Sequence, residues 1–117
     1  MMRIIYSIFL FSFFSCFQSK KQINKECKLV TLPKKSVSCG VLSVWEGVKF
    51  LDIKDNEIFI GFIHCPETFS VNFFDINAKY KLQLDSKLPD SLNNIVINSF
   101  KGENLQCFTI KEIKHLD

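Results

Sequence analysis

Five cysteines and two histidines carry most of the chemical repertoire of this 117-residue sequence. The densest grouping is His64-Cys65-Pro66-Glu67. A catalytic or redox cysteine needs a base, an orienting partner and a lowered pKa. His64 and Cys65 adjoin on an extended run, and adjacent strand residues point to opposite faces, so His64 is not expected to activate Cys65. There is no C-x-x-C pair and no H-x-x-x-H spacing, which leaves no metal site to assign. His115 lies close to the chain end. Only four glycines occur, none in a phosphate-cradling loop, and there is no G-x-S-x-G hydrolase signature. The carboxylates Asp52, Asp55, Glu57, Asp85, Asp90 and Glu103 are scattered over turns and read as a solvated rim. No catalytic residue and no cofactor is therefore expected.

The N-terminus is more informative. Arg3 precedes an apolar run, Ile4 to Phe14, broken only by Ser7 and Ser12. A membrane-spanning helix needs about 20 apolar residues, so this run has the length of a signal-peptide core instead. It ends Phe13-Phe14-Ser15-Cys16, without the small-residue pattern of an ordinary cleavage site. Ser15-Cys16 resembles the lipobox of bacterial lipoproteins, although Phe13 and Phe14 stand where that family favours Leu and a small residue. The resemblance implies diacylation of the Cys16 thiol, cleavage before it and acylation of the new N-terminus. It also implies a cell-envelope location with a membrane anchor, on the periplasmic or cell-surface side. The alternative is a conventional signal peptide with an incidental cysteine.

Charge is unevenly placed. Residues 17–35 hold six lysines against Glu26, whereas 36–117 hold eight lysines against eleven acidic side chains. The sequence thus divides into a signal peptide (1–15), a lipidated basic tether (16–35) and a domain (36–117). Lysines beside a lipid anchor favour an anionic membrane surface, and an exported chain of this kind is not expected to meet nucleic acid.

From Val37 onward the pattern is that of strands. Val37 to Ile53 is a long first strand with Gly47 marking a bulge or bend. Ile58 to Cys65 follows, stopped by Pro66. Tyr80 to Leu84 alternates cleanly, with Tyr80, Leu82 and Leu84 inward. Ile95 to Phe100 and Leu105 to Ile113 complete the set. Cys27 to Leu32 is a further candidate within the tether. Phe69, Phe73 and Phe74 suggest one short helix or 3₁₀ turn between the second and third strands. Five strands with one short helical connection resemble a small OB-like barrel, mainly β and expected as a monomer.

With Cys16 assigned to lipid, Cys27, Cys39, Cys65 and Cys107 are available for disulfides in an oxidising compartment. A hairpin turn centred on Asp55-Asn56 places residue 46 opposite 65, leaving Cys39 about seven residues out of register. That disfavours Cys39–Cys65 and favours Cys39 pairing with Cys107 or Cys27.

The expected function is a lipid-anchored binding module for an envelope protein or oligosaccharide. Its candidate surface is the outer face of the first three strands with the 85–94 loop, including Trp45 and Tyr80. The alternative is an exported thiol, redox or metal-binding protein using Cys65 or Cys107.

Overall fold

The computed structural model describes residues 23–116. The expected signal peptide, with Cys16, lies outside the described residues. The elements are β1 (Ile23–Leu29), β2 (Ser43–Asp52), β3 (Glu57–His64), a 3₁₀ turn (Pro66–Thr68), β4 (Lys79–Asp85), β5 (Asn94–Ile97) and β6 (Cys107–Leu116). The sheet runs β1-β4-β6-β3-β2-β5, and a β1–β2 pairing closes its first five members into a barrel. β3 and β6 pair in parallel and the other ring contacts are antiparallel, which gives the Greek-key, five-stranded OB-like barrel. β5 stands outside the ring, parallel to β2.

The core follows from alternation. Cys27 and Leu29 of β1, Val48 and Phe50 of β2, Phe59 and Ile63 of β3, Tyr80, Leu82 and Leu84 of β4, and Phe108 and Ile110 of β6 form one buried cluster. Closure removes the free edges that an open five-stranded sheet would expose. Phe69, Phe73 and Phe74 follow the 3₁₀ turn rather than forming a helix, and their rings pack on one another and toward Tyr80.

Three expectations are corrected. The ring takes its first strand from the segment read as tether, and the segment read as the fourth strand supplies the extra strand β5. The domain therefore begins by Ile23, not at residue 36. Alternation in β1 was obscured because Lys25 occupies an inward position. It survives there because its ammonium meets the Asp52 carboxylate at 2.5 Å. The long first strand shortens to Ser43–Asp52, because 30–42 form a loop. Gly47 is no bulge either, since β2 and β3 pair without a register shift from Trp45↔His64 to Asp52↔Glu57. A Cβ on Gly47 would come within 3.0 Å of Ile60 Cγ2 and 3.1 Å of Phe62 Cε1, so close packing explains this glycine.

Asp52 joins the barrel mouth to the β2–β3 turn. Lys25 bonds one carboxylate oxygen, and the Lys54 and Asp55 backbone N–H groups donate to the other. Burial opposes ionisation of Asp52, but these donors outweigh it and hold its pKa below the ordinary carboxylate value. A depressed folded-state pKa stabilises the fold above the unfolded value of about 3.9, and that contribution is lost as pH falls through the folded value. Urea midpoints should therefore fall with acidification below about pH 4, and Asp52→Asn should reduce that slope. An unchanged slope in the variant would contradict the role given to Asp52.

Candidate functional site

The upper ends of β2 and β3 and the two loops beside them gather the residues with chemical potential. β3 ends at His64, and Cys65 then turns into the left-handed region at φ 46°. Pro66 stops the ladder, and the Cys65 N–H donates to Val44 O at 2.8 Å. In the β1–β2 loop, Cys39 is drawn back over the start of β2, and the Val44 N–H reaches Cys39 Sγ at 3.1 Å. The two cysteines form a disulfide with Cα atoms 5.6 Å apart.

This corrects the expected connectivity. The hairpin register places Val44, not residue 46, at the level of Cys65, a shift of two residues. Neither cysteine lies in a strand. Strand register therefore does not govern their separation: the loop supplies the reach and the left-handed turn supplies the direction. The expectation that His64 and Cys65 diverge fails for the same reason. Because Cys65 leaves the strand geometry, its Sγ lies 3.4 Å from His64 Nε2. The exposed His64 ring rests against the indole of Trp45, its cross-strand partner, with centroids 4.6 Å apart. The indole N–H donates to Asn94 Oδ1 at 3.2 Å, which ties this pair to β5.

Two acids pin the loops, and sequence reasoning did not single them out. Glu46, only 3% exposed, accepts the Lys34 and Lys35 backbone N–H groups. Its signal was parity: it lies on the inward side of β2 with Val44 and Val48. Glu67 Oε1 accepts the Cys39 N–H at 2.8 Å, while Oε2 is buried with no hydrogen-bond partner among the described residues.

Among the described residues, Cys27 and Cys107 are free. Burial, and next the nearby Asp52 carboxylate, push the Cys27 thiol up to about 12. Burial also raises Cys107. Neither is poised as a thiolate at neutral pH. Cys39, His64 and Cys65 bring three ligand atoms within 4.8 Å of one another, the one such grouping among the described residues. With the sulfurs bonded to each other, they offer no thiolate to a metal.

The candidate binding residues separate. Trp45 is half-buried on the outer face. Tyr80 is not a surface residue: it is 0% exposed, its hydroxyl donates to Phe73 O and it accepts the Asp75 N–H. Much of the expected outer face is also closed. Gly61 faces Phe50 and Ile110 in the core, so Ile60 and Phe62 point outward. Both are nevertheless buried, on the side where Ile97 O approaches Gly47 and Phe100 lies under the Lys49 ammonium. The Trp45 end stays open. The parallel register Ser43↔Asn94 brings the exposed Val41 and Leu42 to the same end as the exposed Leu92 and Ile95.

No protein-family model, curated protein or solved structure matches the chain.

Proposed function

We propose that this protein is an exported, lipid-anchored module of the cell envelope that binds a partner protein through the open end of the β2–β5 face. The observation that carries the reading is the exposed Val41, Leu42 and Leu92, which the register brings to the Trp45 end of β2 and β5. Contiguous exposed apolar surface with an aromatic anchor is characteristic of protein interfaces. Trp45 is the sole tryptophan, and it is already oriented by His64 and Asn94. It therefore loses little freedom on binding.

The opposite side of the barrel supports the anchored orientation. On the outer face of β1, β4 and β6, Lys28 stands directly opposite Lys79, and Lys81 opposite Lys114. Like charges directly opposed across strands are unfavourable within the protein. The acids on the same face are Glu26, in register with Lys81, Glu112, which pairs with Lys114 at 3.5 Å, and Asp85 at the end of the outward row of β4, so the four lysines outnumber them by one. Such a face suits anionic headgroups, each basic residue near the surface contributing about 1 kcal/mol. Cys16 precedes Ile23 by seven residues, a span of at most about 25 Å when extended. An anchor that short would hold the basic face close to lipid and turn the Trp45 face away from it.

Truncating a central aromatic anchor commonly costs about 2 kcal/mol or more of binding energy. Trp45→Ala should thus weaken partner affinity by about 30-fold or more while leaving the far-UV spectrum of the barrel intact. Unaltered affinity in a folded variant would move the interface elsewhere. If soluble envelope oligosaccharides, rather than a protein, quench Trp45 emission saturably, the ligand class changes and the surface stands.

A further inference from the structure

The Cys39–Cys65 disulfide carries more chemistry than a loop staple requires. Each sulfur has its own hydrogen-bonding group: the Val44 N–H at Cys39 Sγ, and His64 Nε2 at Cys65 Sγ. The Val44 N–H, and His64 Nε2 when it carries a proton, stabilise the thiolates that reduction creates, and a stabilised reduced form makes a disulfide easier to reduce. The sulfurs also differ in access. Cys65 is buried, whereas Cys39 is half-buried in the loop. His64 is exposed, so its imidazole can exchange protons with solvent without moving away from Cys65. The Glu67 carboxylate fixes the Cys39 backbone from the other side of the bridge.

We propose that Cys39–Cys65 is a thiol–disulfide exchange site whose reductant is a dithiol, with Cys39 the sulfur attacked and His64 the proton donor to the departing Cys65. A thiolate of the dithiol attacks Cys39 Sγ and forms a mixed disulfide. The Cys39–Cys65 bond breaks, its electron pair passes to Cys65 Sγ, and that sulfur takes the proton from His64. The second thiol of the reductant, after losing its proton, attacks the reductant's own sulfur in the mixed disulfide. Cys39 is released as a thiolate stabilised by the Val44 N–H and is then protonated from solvent. The protein gains two electrons and two protons, and the dithiol becomes a disulfide. Cys27 and Cys107 take no part, since burial raises both thiols. This inference does not depend on the lipid anchor or on the partner surface.

The test uses the full chain under native conditions. Dithiothreitol reduction is stopped by alkylation at timed intervals, and the Cys39 and Cys65 peptides are quantified by mass. The site should open while the barrel remains folded, and His64→Ala should slow reduction by about a hundredfold, the low end of a positioned general acid's contribution. Added imidazole should restore part of the lost rate. Quenching the exchange with glutathione in place of dithiothreitol should trap the mixed disulfide on Cys39 rather than Cys65. A bridge that opens only once the barrel unfolds would overturn the proposal, as would an unchanged rate in His64→Ala or adducts confined to Cys65. His64 is exposed, so its variant tests the step without depending on a core substitution.

Discussion

A fragment spanning 36–117 will show no cooperative unfolding transition, whereas 23–117 will unfold cooperatively in urea. β1 is the strand that closes the ring, because it pairs with β4 along one edge and β2 along the other. Its continuation is held too, with the Val30 N–H donating to Lys49 O and the Lys49 N–H donating to Thr31 Oγ1. Removing it uncovers two strand edges and strips Cys27 and Leu29, both fully buried, from the core. Burial of an aliphatic side chain contributes about 1.5–3 kcal/mol. Asp52 would also lose its Lys25 ion pair. Domains of this size are stable by only about 5–15 kcal/mol in total, so the combined loss is comparable with the whole. A transition in 36–117 similar to that of 23–117 would show that β1 is dispensable and that the ring is closed in some other way.

Cys16→Ser will release the protein from membranes washed at high salt, and the wild type will stay bound. A single acyl chain gives marginal, reversible binding, whereas several hold firmly, at about 0.8 kcal/mol per buried CH₂. Without the lipids, what remains is Lys20, Lys21 and the Lys28, Lys79, Lys81 and Lys114 face. That electrostatic attraction is screened by salt. The variant should therefore be partly retained at low ionic strength and soluble at high ionic strength. Replacing Lys79 and Lys81 by Gln in the Cys16→Ser background should abolish the low-salt retention. High-salt retention of Cys16→Ser with no lipid label would refute the anchor.

What could be read in the sequence was set by parity. β3, β4 and β6 were legible because their apolar residues alternate or run continuously between clear turn signals. Of β1, only Cys27–Leu29 falls within the candidate strand Cys27 to Leu32; its first half is masked by Lys25, a charge on the inward side that is tolerated because Asp52, far along the chain, meets it. β5 looked like a ring strand because nothing local distinguishes a strand that closes a barrel from one laid along its flank. The bridge was missed for a geometric reason. Register reasoning places residues that lie on strands, and both Cys39 and Cys65 lie just off them. The left-handed turn at Cys65 also undid the opposite-face argument about His64. Of the two aromatics singled out, Trp45 lies on the outer face and Tyr80 in the core. Tyr80 sat at an inward parity in a well-formed alternation, and Trp45 at an outward position of β2. Net charge carried a similar lesson. With β1 included, 23–117 holds twelve lysines and twelve carboxylates, so the domain is neutral overall and its polarity is one of faces.

The central claim is that the barrel binds an envelope protein through the Trp45 end of the β2–β5 face while the opposite face lies toward lipid. Its most direct measurement is photocrosslinking in intact cells from single positions of the full chain: Val41 and Leu92 beside Trp45, and Lys81 on the opposite face. The account predicts one discrete protein adduct from Val41 and Leu92 that disappears when Trp45→Ala is added, with none from Lys81. The same adduct from all three positions, or from Lys81 alone, would contradict it.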